Sequence, residues 1–208
     1  MIIGIDEVGR GCWAGPLVAA AVGLQKDHGI LGLDDSKKLS AKKRVLLVHD
    51  IKQSTKQIGI GWVWPREINK IGLTKSVQLA MFRAISELNH EGIPIIIDGN
   101  LNYLQGVLCK ETPCNKESPC KTGIRISTVI GGDGTVASVS AASIIAKVAR
   151  DTYMQTIAKK YPNYQFEKHV GYGTRQHIEA LERYGVTSIH RTDYKPIKRL
   201  LSKEDKSQ

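Results

Sequence analysis

The chain has 208 residues, 41% of them hydrophobic and 24% charged, which fits one soluble globular domain with a buried core. Its longest apolar stretches are about one strand long, which excludes a transmembrane helix. No basic region precedes the acids near Met1, so no secretory signal is expected and a cytoplasmic location is. The formal net charge of +10 points to a polyanionic partner held through counterion release, or else to a basic surface with no partner.

In chain order, residues 1–6 read as a first strand, because Ile2, Ile3 and Ile5 favour extended backbone. The run leads into two acids, Asp6 and Glu7, and then Gly9-Arg10-Gly11. Carboxylates at a strand end offer hard oxygen ligands to a divalent cation, and Arg10 between glycines suits a phosphate or a surface ion pair. Successive strand residues point to opposite faces, so Asp6 and Glu7 reach one cluster only if the strand stops or twists. Regular pairing is therefore predicted to end at or just after Asp6.

Residues 16–23 read as a second, buried strand. Ile58, Ile60, Trp62 and Trp64 alternate with Gly59, Gly61 and Val63, a third strand. Only a turn separates the first two, which predicts an antiparallel start to the sheet. Between the second and third, Ser40 is placed to cap a helix over residues 41–52. Residues 74–88 are predicted helical, since Val77, Met81, Ile85 and Leu88 recur at helical spacing. Residues 93–99 form a short strand ending in Asp98-Gly99, parallel to a neighbour because a helix separates it from the strand before.

Residues 100–121 are polar and irregular. They hold Cys109, Cys114 and Cys120, one C-x4-C unit without the second pair a zinc site needs. Residues 124–130 are predicted as the last strand, followed by Gly131-Gly132-Asp133-Gly134. Helices are predicted from Val136 to about Tyr161, with Ala141, Ile144, Ile145 and Val148 on one face, and over residues 174–184. The basic remainder frays at its end. One domain is expected, with a core over about 1–160, a helical segment over about 161–196 and a frayed tail over 197–208.

Asp6, Glu7, Asp98 and Asp133 thus stand at strand ends that meet at one rim if the strands run the same way. A lone strand-end aspartate more often caps a turn. Close carboxylates repel unless a cation neutralises them, and hard oxygens favour Mg²⁺ or Mn²⁺ over zinc. Two such ions can stabilise the attacking and leaving oxygens of a phosphodiester. Asp151, one helix further on, competes with Asp133, although the helical start after Gly134 favours Asp133.

Gly4-Ile-Asp-Glu-Val-Gly-Arg-Gly11, Ala14-Gly-Pro16, Asp35-Ser-Lys-Lys-Leu39, Ile97-Asp-Gly99, Gly132-Asp133, Ser140-Ala-Ala-Ser-Ile-Ile-Ala-Lys-Val-Ala-Arg-Asp151, Lys168-His-Val-Gly-Tyr-Gly-Thr174 and Ile189-His-Arg191 together resemble ribonuclease HII, the type 2 ribonuclease H. The resemblance runs from about residue 2 to residue 196. It implies an α/β fold, a ribonuclease H-like mixed five-stranded sheet with flanking helices and a C-terminal helical extension that binds substrate. It implies an endonuclease that cuts the RNA strand of RNA–DNA hybrids and cuts 5′ of single ribonucleotides in duplex DNA, leaving 3′-hydroxyl and 5′-phosphate ends. Asp6, Glu7, Asp98 and Asp133 match the family's four metal-binding carboxylates, which take two Mg²⁺ or Mn²⁺ ions during catalysis. Gly9-Arg10-Gly11 matches the stretch that senses the ribose 2′-hydroxyl, and Tyr172 the tyrosine that stacks at the RNA–DNA junction.

The residues support those roles. The 2′-hydroxyl distinguishes RNA from DNA, glycine-flanked backbone reaches into a minor groove, and tyrosine offers a flat face with a polar tip. Without the family, the alternative for Tyr172 is a core tyrosine between a helix and a loop. Lys37 and Lys38 suit phosphate contact or an exposed basic turn, and His169 and His190 substrate contact or a structural role. Cys12-Trp13 stands where many relatives have Pro-Leu, so the turn beside the site is expected to pack differently. The partner is hybrid or ribonucleotide-containing duplex, with no membrane and no obligate protein; a monomer is expected. The competing readings are a basic nucleic-acid binding protein without catalysis and a related nuclease of different substrate choice.

Overall fold

The computed structural model describes residues 1–108 and 125–204. Cys109, Cys114 and Cys120, and with them the question of zinc, lie outside the described residues. Five strands form one sheet, in the order β3-β2-β1-β4-β5. They are β1 (Ile2–Val8), β2 (Leu17–Leu24), β3 (Ile58–Val63), β4 (Ile95–Asp98) and β5 (Ile126–Val129). β1 pairs antiparallel with β2, and β2 with β3. β4 runs parallel to β1, and β5 parallel to β4. The ends of β1, β4 and β5 therefore lie at one rim, as the crossover reading requires.

Helices cover both faces. On one, α3 (Leu73–Ile85) sets Val77, Met81 and Ile85 against Ile3, Ile5, Ile95 and Ile97. On the other, α1 (Ala41–Ser54) and α4 (Ala137–Lys160) cover Val18, Ala20 and Val22 with Leu47, Ile51 and Ile144. All eight β2 residues are buried, which explains its unbroken apolar run. Ser40 caps α1 as expected, its hydroxyl accepting from the Lys43 amide at 3.2 Å.

The alternation in β3 has a sharper meaning than a strand period. Gly59 and Gly61 lie under α3, where an added Cβ would run into the carbonyls of Ala84 and Ala80. The helix rests on bare backbone. Gly61→Ala should lower stability by about 1–3 kcal/mol, because α3 must lift off the sheet. A urea midpoint equal to wild type would contradict this packing.

Two elements differ from expectation. β3 stops at Val63, and Pro65–Ile71 forms a short helix, α2, with Glu67 accepting from the Trp64 amide at 2.9 Å. Pro65 at the first helical turn and Glu67 two residues on were the readable start signals. The tail also does not fray from residue 197: Lys195–Glu204 is a helix, α7, anchored by fully buried Ile197. With α5 (Phe166–His169) and α6 (Arg175–Tyr184) it closes a third apolar cluster around Met154, Tyr164, Phe166 and Leu181. This C-terminal layer packs against the turn between β1 and β2.

Candidate active site

Asp6, Asp98 and Asp133 each place a carboxylate oxygen within 4.8 Å of the other two. The sheet explains the first two. Ile5 pairs with Ile97, so Asp6 and Asp98 are the next residues on adjacent parallel strands and share a face. Asp133 arrives differently. β5 ends at Val129, Gly131 turns the chain at φ 69°, and Asp133 sits in a 3₁₀ turn (Gly132–Gly134) ahead of α4. The Gly132 amide donates to Asp98 Oδ1 at 2.8 Å, which ties that turn to β4. Asp151 is elsewhere, paired with Lys147 at 2.9 Å and Arg44 at 3.8 Å.

β1 does not end at Asp6. Its pairing with β2 continues through Glu7↔Ala19 to Val8↔Val18, while its pairing with β4 stops at Ile5↔Ile97. The two neighbours release β1 at different points, so the rim opens on the β4 side while the strand stays extended on the other. Glu7 is consequently outside the compact trio. It meets Arg10, whose Nη1 lies 3.2 Å from Glu7 Oε1. Asp98 still pushes up the affinity of both Asp6 and Glu7 for a proton, so its charge is felt by both.

Lys37 also reaches the site, with Nζ 3.4 Å from Asp133 Oδ2 and 3.8 Å from Asp35 Oδ1. Lys38 turns instead to Asp34 at 3.2 Å. Two residues that the sequence reading passed over complete the cluster. Ser143 of α4 hydrogen-bonds Asp6, and its hydroxyl lies 2.9 Å from that of buried Ser36. Both fall inside the quoted motifs, between the more conspicuous Asp35 and Lys37 and on the buried face of α4.

The carboxylates are electrically uncomfortable. Asp6, 6% exposed, is pushed up from 3.8 to about 8, chiefly by burial and then by Glu7. Burial, then Asp35 and Asp98, raises Asp133 as well. Folded Asp6 therefore holds its proton more tightly than the unfolded chain does. Its contribution to stability is full below 3.8 and is lost as pH rises through about 8. In chelator the melting temperature should fall between pH 5 and 8, by an amount on the order of a few kcal/mol in stability. Asp6→Asn or a divalent cation should flatten that profile. A wild-type profile that is flat, or a slope unchanged in the variant, would refute the assignment of strain to Asp6.

The Gly9-Arg10-Gly11 turn and Tyr172 come together beside this rim. Gly9 has φ 91°, and a Cβ there would strike Arg150 Nε at 2.5 Å. The Tyr172 ring lies against Gly11, and its hydroxyl is a hydrogen-bond partner of buried Cys12. Trp13 packs on Gly173, and its amide donates to Gly171 O at 2.8 Å. Cys12-Trp13 thus docks the turn onto the segment that carries Tyr172.

Two buried arginines fix this arrangement. Arg150 donates to Pro16 O at 2.8 Å, Val170 O at 2.9 Å and Ala14 O at 3.1 Å. Arg191 donates to Gly9 O at 2.6 Å and to Gly15 O at 2.9 Å. His169 and His190 are buried and hydrogen-bonded within the protein. Among the described residues no helix is long and apolar enough to cross a membrane.

The arrangement is a buried acidic cluster, a glycine turn held from behind and a half-exposed tyrosine, all on one edge of a basic protein. Comparisons with known proteins agree with it. The sequence profile named Ribonuclease HII matches residues 3–197. A ribonuclease HII from Vibrio campbellii is 42% identical over 205 residues, covering 99% of this chain and 89% of the relative. The ribonuclease HII in the PCNA:RNase HII complex from Archaeoglobus fulgidus superposes with a TM-score of 0.74 at 26% identity, covering 96% of each chain. The ribonuclease H2 from Pyrococcus horikoshii superposes at 0.77 with 22% identity, covering 99% of each, and so shares the fold. The chain therefore belongs to the ribonuclease HII family and is an endoribonuclease of the ribonuclease H type.

Proposed function

We propose that Asp6, Glu7, Asp98 and Asp133 are the catalytic carboxylates, and that they hold divalent cations, Mg²⁺ or Mn²⁺, two during the reaction. The observation that carries this is the trio within 4.8 Å, built from two parallel strands and a glycine turn. The donor set fits: it is all oxygen, and the burial of the Asp6 charge, with the repulsion from Glu7 and Asp98, is what a hard cation would offset. When bound, the ions polarise the scissile phosphate and stabilise the attacking and leaving oxygens.

The protein's own groups do the selecting. Gly9 and Gly11 bring backbone to the ribose, where only RNA carries a 2′-hydroxyl. The Arg10 side chain, half exposed, moves from Glu7 to a substrate phosphate, and Lys37 on Asp133 reaches a second. Tyr172, 40% exposed, presents its ring to the sugar beyond the ribonucleotide. Water then attacks phosphorus and the bond to the 3′ oxygen breaks. Cutting 5′ of the ribonucleotide leaves a 3′-hydroxyl and a 5′-phosphate.

The protein is proposed to act in the cytoplasm, as a monomer, on hybrids and ribonucleotide-containing duplex. The Archaeoglobus relative is in complex with PCNA; a protein partner is compatible with this site, and none is required for the cut. The test is the purified chain alone on all-DNA duplex, RNA–DNA hybrid and duplex DNA with one ribonucleotide, with Mg²⁺, Mn²⁺ or chelator. Cutting of the last two substrates only, and only with metal, is expected; cutting of all-DNA duplex or cutting in chelator would overturn the reading. Tyr172→Ala should slow the single-ribonucleotide cut roughly tenfold more than the hybrid cut, the scale of a lost base or sugar stack. Equal losses on both would remove its junction role.

A further inference from the structure

Behind Tyr172 lies a line of buried histidines that the mechanism above does not use. His177 is fully buried and His190 is 1% exposed. His177 Nδ1 lies 2.9 Å from Tyr172 O, and its Nε2 lies 3.1 Å from His190 Nε2. The Thr187 amide donates to His190 Nδ1 at 2.9 Å. Burial lowers both imidazoles to about 4, so both are neutral near pH 7.

The Thr187 amide sets the direction of the protons, because a backbone N–H can only donate. A neutral imidazole has one donor and one acceptor. His190 Nδ1 accepts from Thr187, so its Nε2 carries the hydrogen and donates to His177 Nε2. His177 must then carry its hydrogen on Nδ1, where it points at the Tyr172 carbonyl. The chain runs one way: Thr187 amide, His190, His177, Tyr172 backbone.

Other rings pack closely around His177. His177 is stacked on His169 at 4.7 Å and enclosed by Phe166 and Trp13 at 5.5 and 5.8 Å between centroids. The segment it grips is under backbone strain. Val170, a β-branched residue, sits at φ 43°, and Gly171 follows at φ 86°. A strained turn persists only when its neighbours over-determine it, and His177 is the side chain that holds the Tyr172 carbonyl from behind, as Gly11 and Cys12 meet the ring from the front.

We propose that the relay from Thr187 through His190 to His177 fixes the position of Tyr172, which makes His177 and His190 positioning residues for recognition of the RNA–DNA junction. This rests on the reading of Tyr172 given above. A long hybrid presents many scissile bonds and is less sensitive to where one ring stands. A single ribonucleotide offers one, so a displaced ring costs the junction substrate more.

The substitutions separate positioning from folding. His177→Leu removes the imidazole from Tyr172 O and leaves that carbonyl with the Thr174 amide alone, at 2.9 Å. His177→Asn keeps an amide donor at the Nδ1 position. His190→Asn keeps the acceptor for Thr187 and loses the Nε2 hydrogen. Against wild type, His177→Leu should lower kcat on the single-ribonucleotide duplex roughly 10- to 100-fold, the scale of a misplaced positioning contact, with KM and hybrid cutting changed much less. His177→Asn should restore most of that loss, and His190→Asn should fall between. Equal losses on both substrates, or no recovery with Asn, would overturn the relay.

Nitrogen NMR on histidine-labelled wild type gives a readout free of mutation. His177 should show the Nδ1–H tautomer and His190 the Nε2–H tautomer; the reverse tautomer at His177 overturns the proposal. Tyr172→Ala belongs in the same kinetic series. If it shifts the ratio between substrates and His177→Leu does not, the relay fails and the tyrosine's role stands. If Tyr172→Ala leaves the ratio unchanged, the tyrosine's junction role fails, and the relay's part in junction recognition with it.

Discussion

Asp6→Asn should abolish cutting of both hybrid and single-ribonucleotide substrates while the protein still folds and still binds duplex. The substitution keeps the shape of the side chain and removes its charge. As a proposed metal ligand on β1, beside β4, Asp6 is asked to supply several kcal/mol of transition-state stabilisation through the ion it would hold. At about 1.4 kcal/mol per decade, the loss should be roughly a thousandfold or more in kcat. Binding has a different origin. It comes from Lys and Arg neutralising phosphates, and the chain's net charge of +10 rises by one when Asp6 is lost.

The same variant should be more stable than wild type in chelator at pH 8. Asp6 is buried beside Glu7 and Asp98, which makes its charged form costly without a cation. Loss of activity accompanied by a higher melting temperature is a signature that unfolding cannot produce. Three measurements decide it: single-turnover cleavage with Mg²⁺ and Mn²⁺, duplex affinity in chelator, and thermal melting at pH 8. Cleavage within tenfold of wild type would remove Asp6 from the catalytic set.

That site was legible in the sequence to a definite extent. Asp6 and Asp98 each end an apolar run, so the strand reading alone put them at a rim, and the helix between β3 and β4 gave their strands the same direction. Asp133 was read as a strand end and stands instead in a 3₁₀ turn beyond β5, because a periodicity does not say how far the glycines carry the chain past the last ladder pair. The break predicted after Asp6 failed for a topological reason. β1 has two neighbours, and a sequence pattern reports only that a strand weakens, not on which side. α2 was hidden because Trp62 and Trp64 prolong the β3 alternation by one residue past its end. α7 was readable in principle, since Ile197, Leu200 and Leu201 are spaced three and four apart, but the surrounding lysines masked it. The deepest misses were charged or polar residues that turned out to be buried. Arg150, Arg191 and His177 were given no role in the sequence reading, and nothing local in a sequence says that carbonyls from distant turns will surround them.

Arg191→Ala should destabilise the protein more than any single change at the rim. Arg191 is fully buried, and among the described residues its partners are carbonyl and phenol oxygens rather than a carboxylate. Its guanidinium takes Gly15 O through Nε and Nη2, and Gly9 O, Arg10 O and the Tyr194 hydroxyl through Nη1. Truncation takes both guanidinium donors from Gly15 O, leaves Gly9 O with the long Cys12 amide contact at 3.4 Å and Arg10 O with the Tyr194 hydroxyl, and opens a cavity between β1 and the C-terminal helices. The expected loss is about 4 kcal/mol or more, read as the urea midpoint.

Arg191→Lys is the more informative change. It keeps the charge and loses the planar fork, so the carbonyls of Gly9 and Gly15 cannot be held together. The protein should fold, because α7 and the apolar cluster around Phe166 remain. The Gly9–Gly11 backbone should lose its fixed distance from the ribose, so cutting should fall roughly a hundredfold, the scale at which small displacements of positioning groups act. Arg150 cannot compensate, since its donors are committed to Ala14 and Pro16 at the far end of the same turn and to Val170 after α5. If Arg191→Lys matches wild type in both midpoint and cleavage, the turn is held by sheet pairing alone and the buried arginine is a passenger. A wild-type midpoint with reduced cutting places the arginine in the machinery that reads the sugar.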